Sequence, residues 1–185
     1  MIECMQYDYC FFMILALFLL SLYFNLRFWM AAKDRTHGDK LLIKQAYFNP
    51  ITELPNRTNI EIVVAEQIDR SRRHDKSFVV GIVIIENYDA KFIRAASNLI
   101  LESLRDEDIL AHISDETFLI LFNEYLEESN FDIILRRMKT KFDKKLTNEE
   151  GNSMNLKVLI GHSIYPEDAS TIDDLIRAAK SEALK

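Results

Sequence analysis

Turn-forming residues and sulfur are scarce in this chain. Its 185 residues include only 4 Gly, 3 Pro and 2 Cys. So few breakers exclude a collagen-like or low-complexity chain, and a 49% hydrophobic content excludes a disordered one. The two cysteines, Cys4 and Cys10, stand at the very start. The rest of the chain therefore has no disulfide framework and no C-x-x-C zinc spacing, which suits a reducing compartment. Cys10 reads as a small apolar residue. A surplus of basic charge is missing too: 23 Lys and Arg stand against 29 Asp and Glu, a formal net charge of -6. A nucleic-acid binder would show a basic stripe, so no nucleic-acid partner is expected. No internal repeat is visible.

What is present is unevenly spread. Cys10 to Phe24 reads CFFMILALFLLSLYF, interrupted by Ser21, and Phe28, Trp29, Met30, Ala31 and Ala32 extend it past Asn25 and Arg27. A helix over 9–32 would span about 36 Å, enough for a hydrocarbon core of about 30 Å. A cleavable signal peptide needs a basic start, but Glu3 and Asp8 precede Cys10 and no Lys or Arg does. The reading is an uncleaved transmembrane helix. Arg27, Lys33, Arg35, Lys40 and Lys44 all follow the apolar run. A single-pass protein of the inner (cytoplasmic) membrane is expected, with its N-terminus out and its domain cytoplasmic.

The remaining stretch of about 140 residues is long enough to bury a core. Lys40 to Tyr47 reads as a short linker helix that Asn49-Pro50 breaks. Arg57 to Arg73 is helical by the spacing of Ile60, Val63, Val64 and Ile68. FVVGIVIIE, Phe78 to Glu86, is a buried strand. Phe92 to Leu104 is a helix. Ile109 to Ile113 and Phe118 to Phe122 form a hairpin around Ser114-Asp115-Glu116-Thr117. Ser129 is placed to cap a helix to about Phe142, with Phe131, Ile134, Leu135 and Met138 on one face. Leu156 to Tyr165 is a last strand and Thr171 starts a last helix. The order β-α-β-β-α-β predicts an α+β fold, a ferredoxin-like split βαβ core with a mainly antiparallel sheet. His112 and His162 show no metal or nucleophile spacing, and Asp69 to Lys76 reads as a solvated helix end.

Three stretches carry a resemblance. Asn49 to Arg57, NPITELPNR, resembles the DPLTGLPNR opening of the GGDEF (diguanylate cyclase) family. Asp108 to Phe122, DILAHISDETFLILF, is similar to its hairpin DxxARxGGDEFxxxL. Ile160 to Leu175, IGHSIYPEDASTIDDL, is similar to its closing SIGVAxYPxDGxxxxxL. They lie in the family's order and span 47–185. Together with the apolar run, this divides the chain into a transmembrane helix at 9–32, a juxtamembrane linker helix at 33–46 and a GGDEF-like domain at 47–185. It implies a nucleotide-cyclase-type fold. The family joins two GTP molecules into cyclic di-GMP across two facing protomers, and metal ions held by carboxylates of the first strand and the hairpin activate the attacking hydroxyl.

The departures fall on that chemistry. Ser114, Asp115, Glu116, Thr117 and Phe118 stand at G-G-D-E-F, so both glycines are gone and Thr117 replaces the metal-binding Glu. Ile84, Ile85, Glu86, Asn87, Tyr88 and Asp89 stand at DxDxFK, which puts Ile84 at a metal-ligand Asp. A hydroxyl is a poor substitute for an anionic ligand of a hard cation. The family's guanine-holding NDxxGHxxGD has no counterpart, and the segment between first strand and hairpin is short. The expectation is a degenerate site with no catalytic residues, no metal and no resident cofactor, Mg²⁺ entering only with residual cyclase activity. A rival register inserts Thr117, aligns Asp115-Glu116 with D-E and needs a bulge before Phe118. In it Glu86 and Glu116 could pair as substitute metal ligands.

One feature survives. Arg105-Asp106-Glu107-Asp108 matches the RxxD of the family's inhibitory product site, and Arg136 stands where some relatives place a second Arg. The resemblance implies that Arg105, Asp108 and Arg136 bind cyclic di-GMP through guanidinium forks and a carboxylate. The bland counterpart is a solvated helix end with a weak Arg105–Asp108 pair. Three functions follow: a membrane-anchored, non-catalytic cyclic di-GMP receptor; a homodimer-forming or partner-binding signalling module without nucleotide; and, behind both, an active cyclase.

Overall fold

The computed structural model describes residues 13, 15–29, 42–122 and 128–185, with the backbone alone at 128–132. The chain forms two units, Met1–Lys44 and Gln45–Lys185. In the first, residues 15–29 are helical, and Phe18, Leu22, Phe24 and Trp29 are exposed. Among the described residues no helix is long and apolar enough to cross a membrane. This corrects the expectation of a single-pass inner-membrane protein with its N-terminus out. Within the expected span, residues 9–12, 14 and 30–32 lie outside the described residues, as do 33–41 of the linker; residues 42–47 are helical.

The second unit carries α1 (Arg57–His74), β1 (Phe78–Ile85), α2 (Ile93–Leu101), β2 (Ile109–Ser114), β3 (Thr117–Phe122), α3 (Glu128–Phe142), β4 (Leu146–Thr147), β5 (Ser153–Met154), β6 (Val158–Tyr165) and α4 (Ile172–Ala183). β1 is apolar at every position but Gly81 and almost wholly buried. A strand with no polar face must lie inside the sheet, since every N–H and C=O it holds has to be paired. It does: the sheet order is β2-β3-β1-β6, and each neighbouring pair is antiparallel. This is the split βαβ arrangement expected from the order of elements.

Successive β1 residues point to opposite faces and build two cores. Val79, Val83 and Ile85 pack with Ile93, Ala96 and Ile100 of α2 and with Ile134, Met138 and Phe142 of α3. Phe78, Val80 and Ile82 pack with Ile60, Val64 and Ile68 of α1 and with Leu175, Ile176 and Ala179 of α4. The sheet is therefore covered on both sides. α3 begins at Glu128, one residue before the expected cap Ser129. Ile134 and Met138 bury as their spacing predicts and Leu135 packs beside them, while the Phe131 side chain lies outside the described residues. The β4–β5 hairpin was not foreseen. Its turn is built by Asn148, whose Oδ1 accepts from Glu150 N–H and Asn152 N–H at 3.1 and 2.9 Å, and by Gly151 at φ 82°.

Two local devices set the ends of the domain. Asn56 caps α1 through Asn59 N–H at 3.0 Å and also donates to the Ala46 carbonyl at 2.8 Å, so one side chain fixes both the helix start and the chain entering it. At the other end, α4 lies so close to β6 that a Cβ on Gly161 would overlap the Ala179 carbonyl and the Ala183 backbone. Gly161→Ala must push α4 off the sheet and should cost about 1–3 kcal/mol. Chemical denaturation should show a lower midpoint with the slope retained. An unchanged midpoint would mean that α4 is free to step back.

Candidate functional site

The register of the central strands decides what meets at the cyclase positions. Ile84 of β1 stands directly opposite Thr117 of β3. Thr117 is buried and Ile84 half-buried. The two places where the resemblance puts metal carboxylates thus face each other across one ladder. They present a branched hydrocarbon and a single hydroxyl, which do not fit a Mg²⁺ ion. Glu86, Ser114, Asp115 and Glu116 are exposed. Backbone bonds at this edge run from Ile85 N–H to the Glu116 carbonyl and from Glu86 N–H to the Lys157 carbonyl, both 2.9 Å. Among the described residues no cluster of three or more His, Cys, Asp or Glu could hold a metal. The register shift in the hairpin lies between His112 and Ser114 of β2. β3 pairs regularly from Thr117 onward, so the bulge that the rival register needed before Phe118 is absent.

His112, which showed no metal or nucleophile spacing in the sequence, is a buried structural link beside these positions. Its Nδ1 lies 3.2 Å from Thr52 Oγ1 and its Nε2 lies 3.2 Å from the Asp115 carbonyl. A carbonyl only accepts, so Nε2 carries the proton and Nδ1 accepts from the Thr52 hydroxyl. The ring stacks on Phe118 with centroids 4.5 Å apart, and the His112 N–H donates to the Pro55 carbonyl at 2.8 Å. It thereby ties the NPITELPNR loop to the hairpin turn. That loop is tightly wound. Asn49 Oδ1 accepts from Ile51 N–H and Thr52 N–H, and Glu53, where the family pattern has Gly, sits at φ 60°.

The RxxD segment forms a closed turn between α2 and β2. Arg105 N–H donates to Asp108 Oδ2 at 3.0 Å, and Asp108 N–H returns to the Arg105 carbonyl at 3.1 Å. The Arg105 guanidinium is half exposed and lies 3.8 Å from Glu107 Oε1. The carboxylate of Asp108 therefore serves the backbone of Arg105, whereas the ion pair is with Glu107. Burial pushes the Asp108 carboxyl up from its ordinary range. The Arg105 N–H bond opposes this, Glu107 adds to it and the Arg105 charge opposes it. Arg136 is exposed on α3, and no hydrogen bond or ion pair among the described residues joins its side chain to this turn. Its neighbour Arg137 does reach the segment, donating from Nη2 to the Ser103 carbonyl, and Lys141 Nζ donates to the Glu102 carbonyl at 3.2 Å. Sequence reasoning missed both. The signal was there: with Ile134, Met138 and Phe142 inward at 100° per residue, Arg137 and Lys141 flank the buried face and Arg136 points away from it.

A cleft of about 540 Å³ lies elsewhere, between α2, Ile51 and the β4–β5 turn. Its arginine is already engaged. Arg94 forks onto the Ile51 carbonyl at 3.0 and 2.8 Å and lies 3.7 Å from Glu149.

An antiparallel sheet in this strand order, helices on both faces and a hairpin turn at the sheet end define an α+β domain of the nucleotide-cyclase type. The family model described as diguanylate cyclase, GGDEF domain, matches residues 46–185. The chain belongs to the GGDEF family. The cyclic di-GMP phosphodiesterase NbdA of Pseudomonas aeruginosa is 21% identical over 154 residues, covering 77% of this chain and 19% of that protein. This chain thus matches about a fifth of that relative's length. The GGDEF domain of PA1120 (TpbB or YfiN) from Pseudomonas aeruginosa superposes with a TM-score of 0.69 at 17% identity, covering 75% of this chain and 87% of that one. The coiled coil and GGDEF domain of DgcB from Caulobacter crescentus, solved with c-di-GMP, gives 0.71 at 14% identity, covering 89% and 93%. At such identities the likeness is one of fold.

Burial lowers the His112 pKa, and the bond to the Asp115 carbonyl, the Asp115 charge and Ser114 only partly restore it. As pH falls below about 6.5, the unfolded chain takes up a proton that the folded chain resists, and stability is lost. Asp108, whose carboxyl is raised, acts in the opposite sense but in the lower carboxylate range. Between about pH 7.5 and 5.5 the melting temperature should therefore fall more for the wild type than for His112→Gln. Parallel falls would remove His112 as the titrating group.

Proposed function

We propose that this chain is a non-catalytic signalling domain that binds cyclic di-GMP at Arg105 and Asp108, with Arg136 assisting. The observation that carries the first half is Ile84 opposite Thr117. Cyclase chemistry needs anionic ligands to gather metal ions around a triphosphate, and these positions supply none. The RxxD turn supports the second half. It holds an outward, half-exposed guanidinium on a backbone closed by two hydrogen bonds. Guanidinium forks match guanine edges and phosphate oxygens, and a carboxylate accepts from guanine N–H groups. The DgcB structure was solved with c-di-GMP, a ligand of the kind this turn would take.

A second reading is an interaction module without nucleotide, forming a homodimer or engaging a partner signalling protein. It draws on residues 15–29, whose large apolar side chains stand exposed. So much exposed apolar surface on one helix is a surface for a partner to cover.

The purified chain should make no cyclic di-GMP from GTP with Mg²⁺ or Mn²⁺. Product that appears, and then disappears on Glu86→Ala or Glu116→Ala, would instead establish a substitute metal pair. In titrations with cyclic di-GMP, Arg105→Ala loses a forked contact worth about 1.5–3 kcal/mol, a roughly 10- to 150-fold weaker Kd. Ile84→Ala should bind as the wild type does. No binding by wild type at high micromolar ligand would leave the interaction module as the function.

A further inference from the structure

The RxxD turn does not stand by itself. α2 ends at Leu101, and the chain winds on in two tight turns, Ser103 N–H to the Ile100 carbonyl at 2.8 Å and Leu104 N–H to the Leu101 carbonyl at 3.0 Å. Ser103 is fully buried, and its hydroxyl donates to the Leu99 carbonyl at 3.0 Å. The main-chain carbonyls of Glu102 and Ser103 find their donors on another helix. Lys141 Nζ donates to Glu102 O at 3.2 Å and lies 3.4 Å from Glu102 Oε2, and Arg137 Nη2 donates to Ser103 O. Arg137 and Lys141 are one helical turn apart, so α3 grips the end of α2 at two successive carbonyls. A cation at a helix C-terminus also meets the negative end of its dipole. Arg105 begins its closed turn with Asp108 two residues beyond the carbonyl that Arg137 holds.

We infer that Arg137 is a positioning residue for the ligand site proposed above, and the inference rests on that reading: it sets the direction in which the Arg105 guanidinium leaves the turn, without itself being required to touch ligand. Ser103 is fully buried beneath the exposed Arg137 side chain, so removing that side chain takes away a charge-assisted donor and leaves only water in its place. The backbone at 103–104 then shifts to find another donor and carries Arg105 with it. Lys141 cannot replace this hold, because its partner Glu102 is exposed and water can serve that carbonyl instead.

The test uses the full chain and two independent readouts. Backbone amide exchange follows Arg105 N–H and Asp108 N–H, the two donors that close the turn. Titration with cyclic di-GMP follows the site. Arg137→Ala should speed exchange at both amides and raise the Kd, each by about 10-fold, while the global unfolding midpoint moves little. Arg137→Lys keeps a donor and should restore both to within about 3-fold, whereas Lys141→Ala should leave both near wild type. If Arg137→Ala fails to fold, Arg137→Gln against Arg137→Lys makes the same comparison. Unchanged exchange at Arg105 and Asp108 in the Ala or Gln variant overturns the inference, even where the wild type binds ligand well. A wild type that binds no cyclic di-GMP overturns the receptor reading instead, and the exchange rates alone then decide whether Arg137 holds the turn.

Discussion

The domain is organised by a strand with no free side. β1 is apolar on both faces and hydrogen-bonded along both edges, to β3 and to β6. A one-residue slip on either edge would exchange the two faces and expose a set of Val and Ile side chains to the wrong core. The register is therefore held by burial on both sides at once. It carries a structural consequence: Ile84 has to meet Thr117 across the β1–β3 ladder. Gly161 on β6 belongs to the same constraint, because the second core closes only if α4 comes down onto a strand that has no side chain in its way.

Around that frame, polar groups join segments far apart in sequence. Asn56 clamps the incoming chain at Ala46 to the first turn of α1. His112, sixty residues beyond Thr52, joins the opening loop to the hairpin. Burial lowers its pKa, and its tautomer follows from lying between a hydroxyl and a carbonyl. The family's glycines would leave this turn open to a nucleotide. Here the turn carries Ser114, Asp115 and Glu116 side chains and is tied back by an imidazole.

The RxxD turn is built differently from a charge pair. Asp108 accepts from the backbone N–H of Arg105, and so shapes the turn, while the guanidinium leans toward Glu107. An exposed ion pair contributes little, but a half-buried carboxylate bonded to a main-chain donor is a local scaffold. The basic residues of α3 divide by helical angle. Arg137 and Lys141 turn toward α2, and Arg136 faces solvent.

Much of this was legible in the residues alone, for a definite reason. Continuous apolar runs and 3.6-residue spacing report which surfaces must leave water, and burial dominates the energy. So β1, the β2–β3 hairpin, the cores of α1 and α3 and the split βαβ order all follow from pattern. The three family-like stretches were likewise visible residue by residue, and the family model matches residues 46–185. The N-terminal run shows where that reasoning overreached: apolar composition over 9–32 gave hydrophobicity, but among the described residues no helix is long and apolar enough to cross a membrane. The short β4–β5 hairpin escaped because two-residue strands have no period to detect. What only the tertiary structure decided are the meetings between distant segments: Ile84 with Thr117, His112 with Thr52, and Arg137 with the Ser103 carbonyl. Each depends on register or helix rotation set by the whole core, and a one-dimensional pattern carries no information about which polar group another element will bring within three ångströms or so.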